Sequence, residues 1–374
     1  MSIQGFLGHV YDIVFRMLPH RGKTGLMKLG NPTRDSPVLV TGNYTESVRR
    51  LKKALKKENV WLLVANSKGI NVWCAASGGH LTHHDVISAV ITSRAEEKID
   101  NHNLILPQLS ATGIERQKIT KATGWTTTWG PARIEDLPSL LHQSHKATPR
   151  QRFMRFPFWE RLEIAVMWAI PMTIFGILLF AWLGGWHVGF ATGVVVCTVV
   201  FGIYSTLPWL KLTGLFRWVA FVLFMLIGFA FGVMFLLISG SASLRNLSLT
   251  GLGAIVAMAI LSIDLAGTTP WYGSNINTFR NKAHIDLVAD RCMGASECVQ
   301  VCPRNVFSMN GVKQKVEVVR PNDCIQCGAC IVQCPYDALR FRYDDGRIVK
   351  PATIRKTRMN MIGRRTVHLT EEKN

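Results

Sequence analysis

Long apolar stretches dominate the middle of this chain. Four of them lie at residues 164–184, 188–208, 216–238 and 249–267. Each stretch is long enough to cross a bilayer as a helix, and none carries the polar face that a surface helix would present to water. The pattern therefore predicts a transmembrane domain of four helices over residues 163–270.

Basic residues are concentrated on one side of these predicted helices. They precede the first helix, separate the second from the third and follow the fourth, whereas the two remaining connections are nearly uncharged. The basic positions are Arg150, Arg152, Arg155, Arg161, Lys211, Arg217, Arg280 and Lys282. Because positively charged loops stay on the cytoplasmic side, we predict a multi-pass protein of the cell (inner) membrane with both termini and the soluble domains in the cytoplasm. Membrane lipid is therefore an expected partner.

Before the membrane segments, the pattern changes to short apolar runs that alternate with helical periodicity. The predicted strands are Val38–Val40, Trp61–Ala65, Leu104–Leu106 and Thr126–Trp129. A helix is expected after the first strand, with Thr45 as its N-cap. Such alternation is typical of a small α/β domain with a largely parallel sheet, which we assign to residues 31–142. Ligands of these sheets bind in loops at the carboxyl ends of the strands.

One loop of this domain is predicted to form a very short helix. Residues 69–79 read GINVWCAASGG, with Asn71 as N-cap and the glycine pair at the end. Cys74 then occupies the third helical position, where unpaired backbone N–H groups and the helix dipole favour a thiolate. Such a thiolate suits metal ligation or nucleophilic chemistry. A buried cysteine that packs as a small apolar residue is the alternative that the pattern leaves open.

Seven of the nine cysteines fall in one stretch near the C-terminus. Cys324, Cys327, Cys330 and Cys334 form the run C-x2-C-x2-C-x3-C-P, in which three thiolates hold one iron–sulfur cluster and the fourth ligates the other cluster. An earlier run ends in Cys302 followed by proline. The exchange of ligands between two such runs predicts that Cys302 joins the first three cysteines of the later run around a [4Fe-4S] cluster.

The earlier run lacks one cysteine. Between Cys292 and Cys298, Ala295 stands where the second thiolate of a complete run would be. The cluster of this run would be held by these two cysteines and the crossing Cys334. Three thiolates favour a [3Fe-4S] cluster, and a [4Fe-4S] cluster with one iron held by solvent or an exogenous ligand stays open. Together the runs predict an α+β two-cluster ferredoxin domain over residues 271–350.

Zinc and disulfide bonds are the alternatives for these cysteines. Zinc ribbons use C-x2-C pairs without the x3-C-P tail, and disulfides need an oxidising compartment, which the predicted topology argues against. The net charge of +19 is typical of nucleic-acid binders. However, the basic loops and their attraction to anionic lipid explain much of this charge, so we expect no nucleic-acid partner.

The remaining segments complete the domain assignment. Residues 1–30 are predicted to form an amphipathic helix and a linker, because apolar residues near the start follow helical spacing. Residues 143–162 form a basic juxtamembrane linker, and residues 351–374 form a basic tail. Residues 340–349 alternate across an Asp-Gly turn, which predicts a hairpin that completes the ferredoxin domain.

Four strings in the N-terminal domain carry a family resemblance. They are residues 35–45 (DSPVLVTGNYT), 69–76 (GINVWCAA), 104–109 (LILPQL) and 129–131 (WGP). The domain resembles the corrinoid-binding domain of the mercury-methylation corrinoid protein family, and it is similar to the corrinoid subunit of the CO dehydrogenase/acetyl-CoA synthase complex. In the former family a membrane-embedded helical domain follows, and the partner is a small two-cluster ferredoxin. All three parts occur here in one chain.

The resemblance implies a cobalamin-type corrinoid as the cofactor of the N-terminal domain. It implies that Cys74 supplies a thiolate lower axial ligand to cobalt from a helix below the corrin ring. The implied cofactor-binding positions are Asn71, Val72, Trp73, Cys74, Ala75 and Ala76. The chain departs from the family at Ser77, where the family continues with Gly-Lys, at Ala295, and in its tail, which lacks the terminal cysteine pair of the ferredoxin partner. These departures weaken mercury methylation more than corrinoid binding.

These expectations combine into a membrane-bound, redox-activated methyl carrier. The clusters would pass single electrons to cobalt, and the protein would act as a corrinoid-dependent methyltransferase. The expected partners are a low-potential electron donor and a methyl donor, either a protein or a small molecule. The alternative is a membrane-anchored ferredoxin-type electron carrier whose N-terminal domain no longer binds a corrinoid.

Overall fold

The computed structural model describes residues 18–143, 146–210, 214–263 and 283–359. The predicted N-terminal helix and most of the basic tail lie outside these residues. The chain divides into two compact units. One begins at Phe156 and contains the long apolar helices, and the other combines Pro19–Arg155 with the C-terminal residues. The predicted multidomain architecture of an α/β domain, four apolar helices and a ferredoxin-like region is confirmed.

A five-stranded sheet forms the centre of the N-terminal domain. The strands are β1 (Gly25–Leu29), β2 (Val38–Gly42), β3 (Val60–Ala65), β4 (Asn103–Leu106) and β5 (Thr126–Trp129). Their order is β1-β3-β2-β4-β5, with β2 to β5 parallel and β1 antiparallel at the edge. Every residue of β2 and β3 is buried, as expected for parallel strands that are covered on both faces. The prediction of a largely parallel sheet is confirmed.

Short helices connect the strands of this domain. They are α1 (Thr45–Ala54), α2 (Val72–Gly78), α3 (His83–Thr92), α4 (Ala95–Lys98), α5 (Arg116–Thr123) and α6 (Leu137–Leu141). The prediction that Thr45 caps α1 is wrong, because the N-cap residue is Tyr44 and Thr45 is the first helical residue. Negative charge at the start of α1 comes instead from Glu46, which forms ion pairs with Arg49 and Arg50.

Four apolar helices follow the short α7 (Pro149–Arg152). They are α8 (Phe158–Gly184), α9 (Trp186–Thr206), α10 (Gly214–Ile238) and α11 (Leu244–Ile263). In the described part of the chain these are the helices that are long and apolar enough to cross a membrane, with mean hydropathy from 1.6 to 2.9. Small residues let them pack closely: a Cβ added at Gly189 of α9 would lie 2.6 Å from the carbonyl oxygen of Ile177 in α8.

The C-terminal domain contains two small sheets and two short helices that follow the cysteine loops. The strands are β6 (Ala283–Leu287), β7 (Phe307–Asn310), β8 (Lys315–Val318), β9 (Leu339–Tyr343) and β10 (Ile348–Val349), and the helices are α12 (Glu297–Val301), α13 (Ala329–Gln333) and the later α14 (Pro351–Lys356). One sheet has the order β10-β9-β6, and β7 pairs with β8. The antiparallel pairing of β9 with β10 confirms the predicted hairpin.

The α/β domain and the ferredoxin-like domain belong to one compact unit and share a hydrophobic core. Val301, Ile325 and Ala329 from the cysteine-bearing segments pack into the same buried cluster as Ala75 of α2. A 3-10 turn at Gln108–Thr112 contacts both α2 and α13. The helix that carries Cys74 and the helix that carries Cys330 are therefore connected through one short turn.

Candidate iron–sulfur sites and the Cys74 helix

Four cysteines surround one cavity in the C-terminal domain. Cys302 follows α12, Cys324 and Cys327 lie in the loop before α13, and Cys330 lies within α13. All four line one small cavity. Four thiol groups around one space fit the coordination of a [4Fe-4S] cluster. The structure thus brings together the four residues that the sequence assigned to the complete cluster.

Backbone N–H groups donate to sulfur atoms at both predicted sites. Val306 N lies 3.3 Å from Cys302 Sγ, and its pseudo-symmetric counterpart Ala338 N lies 3.3 Å from Cys334 Sγ. Such bonds favour anionic sulfur and are among the factors that set cluster potentials. The local fold is therefore suited to thiolate ligands.

Three cysteines and Ala295 line the second cavity. The cysteines are Cys292, Cys298 and Cys334. Ala295 offers no donor atom at the position of the missing thiolate. The donor set of this cavity therefore fits a cluster with three protein thiolates.

The incomplete loop keeps the backbone conformation of the complete loop. Gly294 and Ser296 have φ values of 71° and 57°, and their counterparts Gln326 and Gly328 have values of 55° and 78°. A side chain at position 294 would collide with the carbonyl oxygen of Gln314, so glycine is required there. The loss of the cysteine has left the loop in its cluster-binding shape.

Burial raises the pKa of three of these cysteines, Cys298, Cys302 and Cys330. The pKa of Cys298 is raised to about 12 by burial, with smaller contributions from Cys334 and Cys292. Burial likewise raises the pKa of Cys330 well above its usual range. Without metal, these side chains are neutral thiols, so the binding of iron must displace protons.

The nine cysteines are all free thiols, so the disulfide alternative is not realised. Within the described ranges, no three His, Cys, Asp or Glu side chains are placed to hold a single metal ion. The seven C-terminal cysteines line the two cavities instead.

Helix α2 places Cys74 at its third position, as predicted. The side chain of Asn71 accepts a hydrogen bond from Cys74 N at 2.9 Å, and Gly79 ends the helix with a φ of 77°. Ala75 and Ala76 are fully buried, whereas Cys74 is partly exposed. The alanines therefore anchor the helix in the core, and Cys74 lies where a ligand can reach it.

Asn43 holds the loop that leads into α2, a role that was not predicted from the sequence. Its side chain is buried, and its Oδ1 accepts hydrogen bonds from Ser67 N at 2.9 Å and Gly69 N at 3.0 Å. Its Nδ2 donates to the carbonyl oxygen of Gly22 at 3.2 Å. One feature of the sequence could have identified Asn43, namely its position directly after β2. Loops at the carboxyl ends of parallel strands commonly contain functional residues.

Gln333 of α13 links the ferredoxin-like domain to the α/β domain. Its side chain is only 4% exposed, and its Nε2 donates to the carbonyl oxygens of Ala111 at 2.8 Å and Ile114 at 2.6 Å. The residue lies between the cluster cysteines Cys330 and Cys334 in sequence. The 3-10 turn beside α2 is therefore tied directly to the helix that serves both cavities.

A second polar contact links the same domains at Glu297, next to Cys298. Its carboxylate lies 2.9 Å from Arg116 and accepts a hydrogen bond from Trp129 Nε1 at 3.3 Å. Burial raises the pKa of Glu297, while Arg116 and Trp129 oppose that shift. The interface thus keeps a buried carboxylate satisfied by two partners from the α/β domain.

Comparisons with known proteins divide the chain in the same way. Residues 16–141 match the family described as CO dehydrogenase/acetyl-CoA synthase delta subunit, and residues 291–338 match the 4Fe-4S dicluster domain. An acetyl-CoA decarbonylase/synthase complex subunit gamma of Methanopyrus kandleri is 29% identical over 33% of this chain and 27% of its own length. The corresponding subunit of Archaeoglobus fulgidus is 30% identical over 30% of this chain and 24% of its own length.

The C-terminal region has a relative of its own size. An uncharacterized ferredoxin of Methanocaldococcus jannaschii is 47% identical over 13% of this chain and 79% of its own length. By contrast, the chain spans about a quarter of the length of the gamma subunits that it matches. The resemblance to the CO dehydrogenase/acetyl-CoA synthase proteins and the dicluster prediction are confirmed. The mercury-methylation part of the resemblance stays a prediction.

Proposed function

We propose that the protein is a membrane-bound electron carrier that donates electrons to a corrinoid in its own N-terminal domain. The premise is that the C-terminal domain of this chain belongs to the ferredoxins. A low-potential donor would reduce the clusters, and the clusters would supply single electrons to a corrinoid held by the residues of α2. The corrinoid, when bound, would supply the cobalt chemistry of methyl transfer between a donor and an acceptor.

One observation carries this proposal: the complete four-cysteine cavity and the Cys74 helix are built on one core. Cys327 lines the cavity and belongs to the same buried cluster as Ala75, the neighbour of Cys74. The 3-10 turn Gln108–Thr112 packs against α2, and Gln333 of α13 binds the carbonyl groups of this turn and of Ile114. A carrier that reduces a second cofactor needs such a short, rigid connection between the two sites.

Individual side chains have separate tasks in this arrangement. Cys74 would supply a thiolate ligand to the cobalt, and Asn71 fixes the first turn of α2 by accepting a hydrogen bond from Cys74 N. Val72 and Trp73 pack against the shared core, and the buried alanines that follow Cys74 hold α2 in place. Cys74 is partly exposed, so a cofactor can reach its thiol. This exposure supports the role of Cys74 in binding the corrinoid.

The helical unit supports insertion into a membrane. Besides their length and hydropathy, α8 to α10 carry exposed tryptophans near their ends, for example Trp159, Trp182 and Trp218. Tryptophan is enriched where membrane helices meet the lipid headgroups. We place the soluble domains on the cytoplasmic side because the flanking segments before α8 and between α9 and α10 are basic.

One contact favours the alternative, an electron carrier that binds no corrinoid. The C-terminal end of α2 is covered by this chain's own segment after α14, since Met359 N donates to the carbonyl oxygen of Ser77 at 2.8 Å. The side chain of Arg358 packs against Gly79 at the same end. In this alternative, the α/β domain serves only as the docking partner of the ferredoxin domain.

Metal analysis distinguishes the two functions. We would purify the full chain without oxygen from a corrinoid-supplied host and measure cobalt and iron per chain. We expect about one cobalt and about seven irons, the sum of one four-iron and one three-iron cluster. Cys74→Ala should change the visible spectrum of the bound corrinoid and leave iron unchanged.

The matched control is Cys197→Ala, which removes a thiol from α9 far along the chain from both cavities. The Cys197→Ala variant should match the unmodified protein in the visible spectrum of its bound corrinoid and in its content of cobalt and iron. Iron without cobalt in the unmodified protein would refute the corrinoid function and leave the electron carrier. If Cys74→Ala leaves the visible spectrum of the bound corrinoid unchanged, Cys74 is not a ligand of its cobalt.

A further inference from the structure

A short segment after the α/β domain packs on the loop that carries Cys302. Met154 N donates to the carbonyl oxygen of Pro303 at 2.8 Å, and Asn305 Nδ2 donates to the carbonyl oxygen of Pro149 at 2.7 Å. Gln108 Nε2 donates to the carbonyl oxygen of Arg152 at 3.0 Å. These bonds hold residues 149–154 against the fourth ligand of the complete site.

The packing gathers positive charge around Cys302. Arg304 lies two residues after this cysteine, and its guanidinium lies 4.8 Å from the ring centre of Phe153. Arg320 approaches the same ring at 5.9 Å, and Arg152 precedes Phe153 in the chain. Burial lowers the pKa of both Arg152 and Arg304, and the nearby Cys302 counteracts this shift in each case. Both arginines are half-buried. Arg304 itself lines the four-cysteine cavity, and Cys302 lies close enough to act electrostatically on both guanidinium groups.

Acidic groups around this site offset only part of that charge. Asp323 lies 3.8 Å from Arg320 and also acts on Arg304. Three arginines and one aspartate leave a net excess of positive charge beside Cys302. Because half-buried charges are screened less than fully exposed ones, this excess acts on any charge placed in the cavity.

The incomplete site lacks the same excess. Tyr336 stands after Cys334-Pro335, at the position that corresponds to Arg304, and its side chain is about half exposed. Arg355 does donate to the carbonyl oxygen of Cys334 at 3.0 Å, but it also forms an ion pair of 2.6 Å with Asp337. The charges beside the second cavity therefore largely cancel, and the pseudo-symmetric halves differ in electrostatics as well as in ligand number.

We propose that Arg152 and Arg304 set the reduction potential of the complete cluster by stabilising its reduced form. One-electron reduction of a [4Fe-4S] cluster with four thiolates changes its net charge from about −2 to about −3, with no bond formed or broken. Burial opposes that extra negative charge, and the two guanidinium groups offset part of this cost. The inference rests on the iron–sulfur part of the proposed function and does not need the corrinoid.

The test is a redox titration of the full chain, followed by electron paramagnetic resonance. A [4Fe-4S] cluster gives a signal when reduced and a [3Fe-4S] cluster when oxidised, so the two midpoints are read separately. Arg152→Gln and Arg304→Gln should each shift the complete-cluster midpoint to more negative values. A tenfold loss in the one-electron reduction equilibrium corresponds to about 59 mV. The midpoint of the second cluster should stay unchanged.

Two further variants separate charge from packing. Arg304→Lys keeps the positive charge and should keep most of the original midpoint. Arg347→Gln removes the same charge from an exposed position beside Asp345 and should shift neither midpoint. Iron content reports whether each variant has retained its clusters. If Arg304→Gln loses its cluster, Arg152→Gln still tests the inference, because residue 152 lies outside the cysteine loops.

The inference would be overturned by an unchanged complete-cluster midpoint in Arg152→Gln, or by equal shifts in Arg152→Gln and Arg347→Gln. A shift of equal size in Arg304→Lys and Arg304→Gln would also overturn it, because packing rather than charge would then be responsible. None of these outcomes depends on cobalt, so failure here is distinguishable from failure of the corrinoid function.

Discussion

A single residue distinguishes the donor set of the second cavity from that of the first. Ala295 occupies the position of a ligand in a loop whose other features are those of a complete cysteine run. The glycine and serine around it keep the left-handed backbone of the complete loop, and three cysteines line the cavity beside it. Only the donor atom is missing, and the sequence alone was sufficient to identify that difference.

The substitution Ala295→Cys should therefore restore a complete site. Because the loop already has the required shape, the new thiolate should hold a fourth iron without rearrangement. We expect iron to rise from about seven to about eight per chain, the sum of two four-iron clusters. The resonance of the oxidised three-iron cluster should disappear at the same time.

Met293→Cys is the matched control for this variant. Met293 lines the same cavity but is 68% exposed and lies outside the ligand positions of the run. A thiol there should leave iron content and the three-iron signal unchanged. If Ala295→Cys also retains that signal, the missing thiolate is not what limits the cluster to three irons.

At the level of helices and strands, sequence periodicity predicted much of the fold. The parallel strands and the apolar helices were recognised because most of them are continuous apolar runs, short in the strands and long in the helices. β1 was missed, because Gly25–Leu29 contains a lysine and a glycine and becomes a strand only by pairing antiparallel with β3. The contacts of Gln333 and Glu297 were missed as well, since their partners lie in another domain about 200 residues away.

The contact between α13 and the 3-10 turn should depend on Gln333. Gln333→Leu keeps a similar volume but leaves the carbonyl oxygens of Ala111 and Ile114 buried without their donor. A buried polar group left unsatisfied costs about 1–3 kcal/mol. We expect faster amide hydrogen exchange in residues 108–114 and in α13, with iron content retained.

Gln117→Leu is the control for this element, since it makes the same change at an exposed position of α5. Its exchange rates in residues 108–114 should match those of the unmodified protein. Equal exchange in both variants would mean that apolar packing alone holds the two domains together, and the short connection between the cavities would not depend on this side chain.

For the molecule as a whole, the ligand-bearing segments are distributed over the chain, yet one compact unit contains them all. Residues 19–155 provide the Cys74 helix, and the residues after the apolar helices provide both cysteine runs. Since these parts fold together, any crossing of a membrane by the helices has to return the chain to the side from which it started. An even number of crossings satisfies this requirement, and four helices are long enough to cross.

The side on which that unit lies can be tested by labelling. We expect Lys146→Cys, before α8, to react with a membrane-impermeant maleimide only in inside-out vesicles. Ala242→Cys, in the exposed connection between α10 and α11, should react only in right-side-out vesicles. Unmodified protein corrects for labelling of the native cysteines. Because basic segments precede α8 and separate α9 from α10, the opposite labelling pattern would contradict the positive-inside assignment, and it would place the clusters in an oxidising compartment where free thiols do not persist.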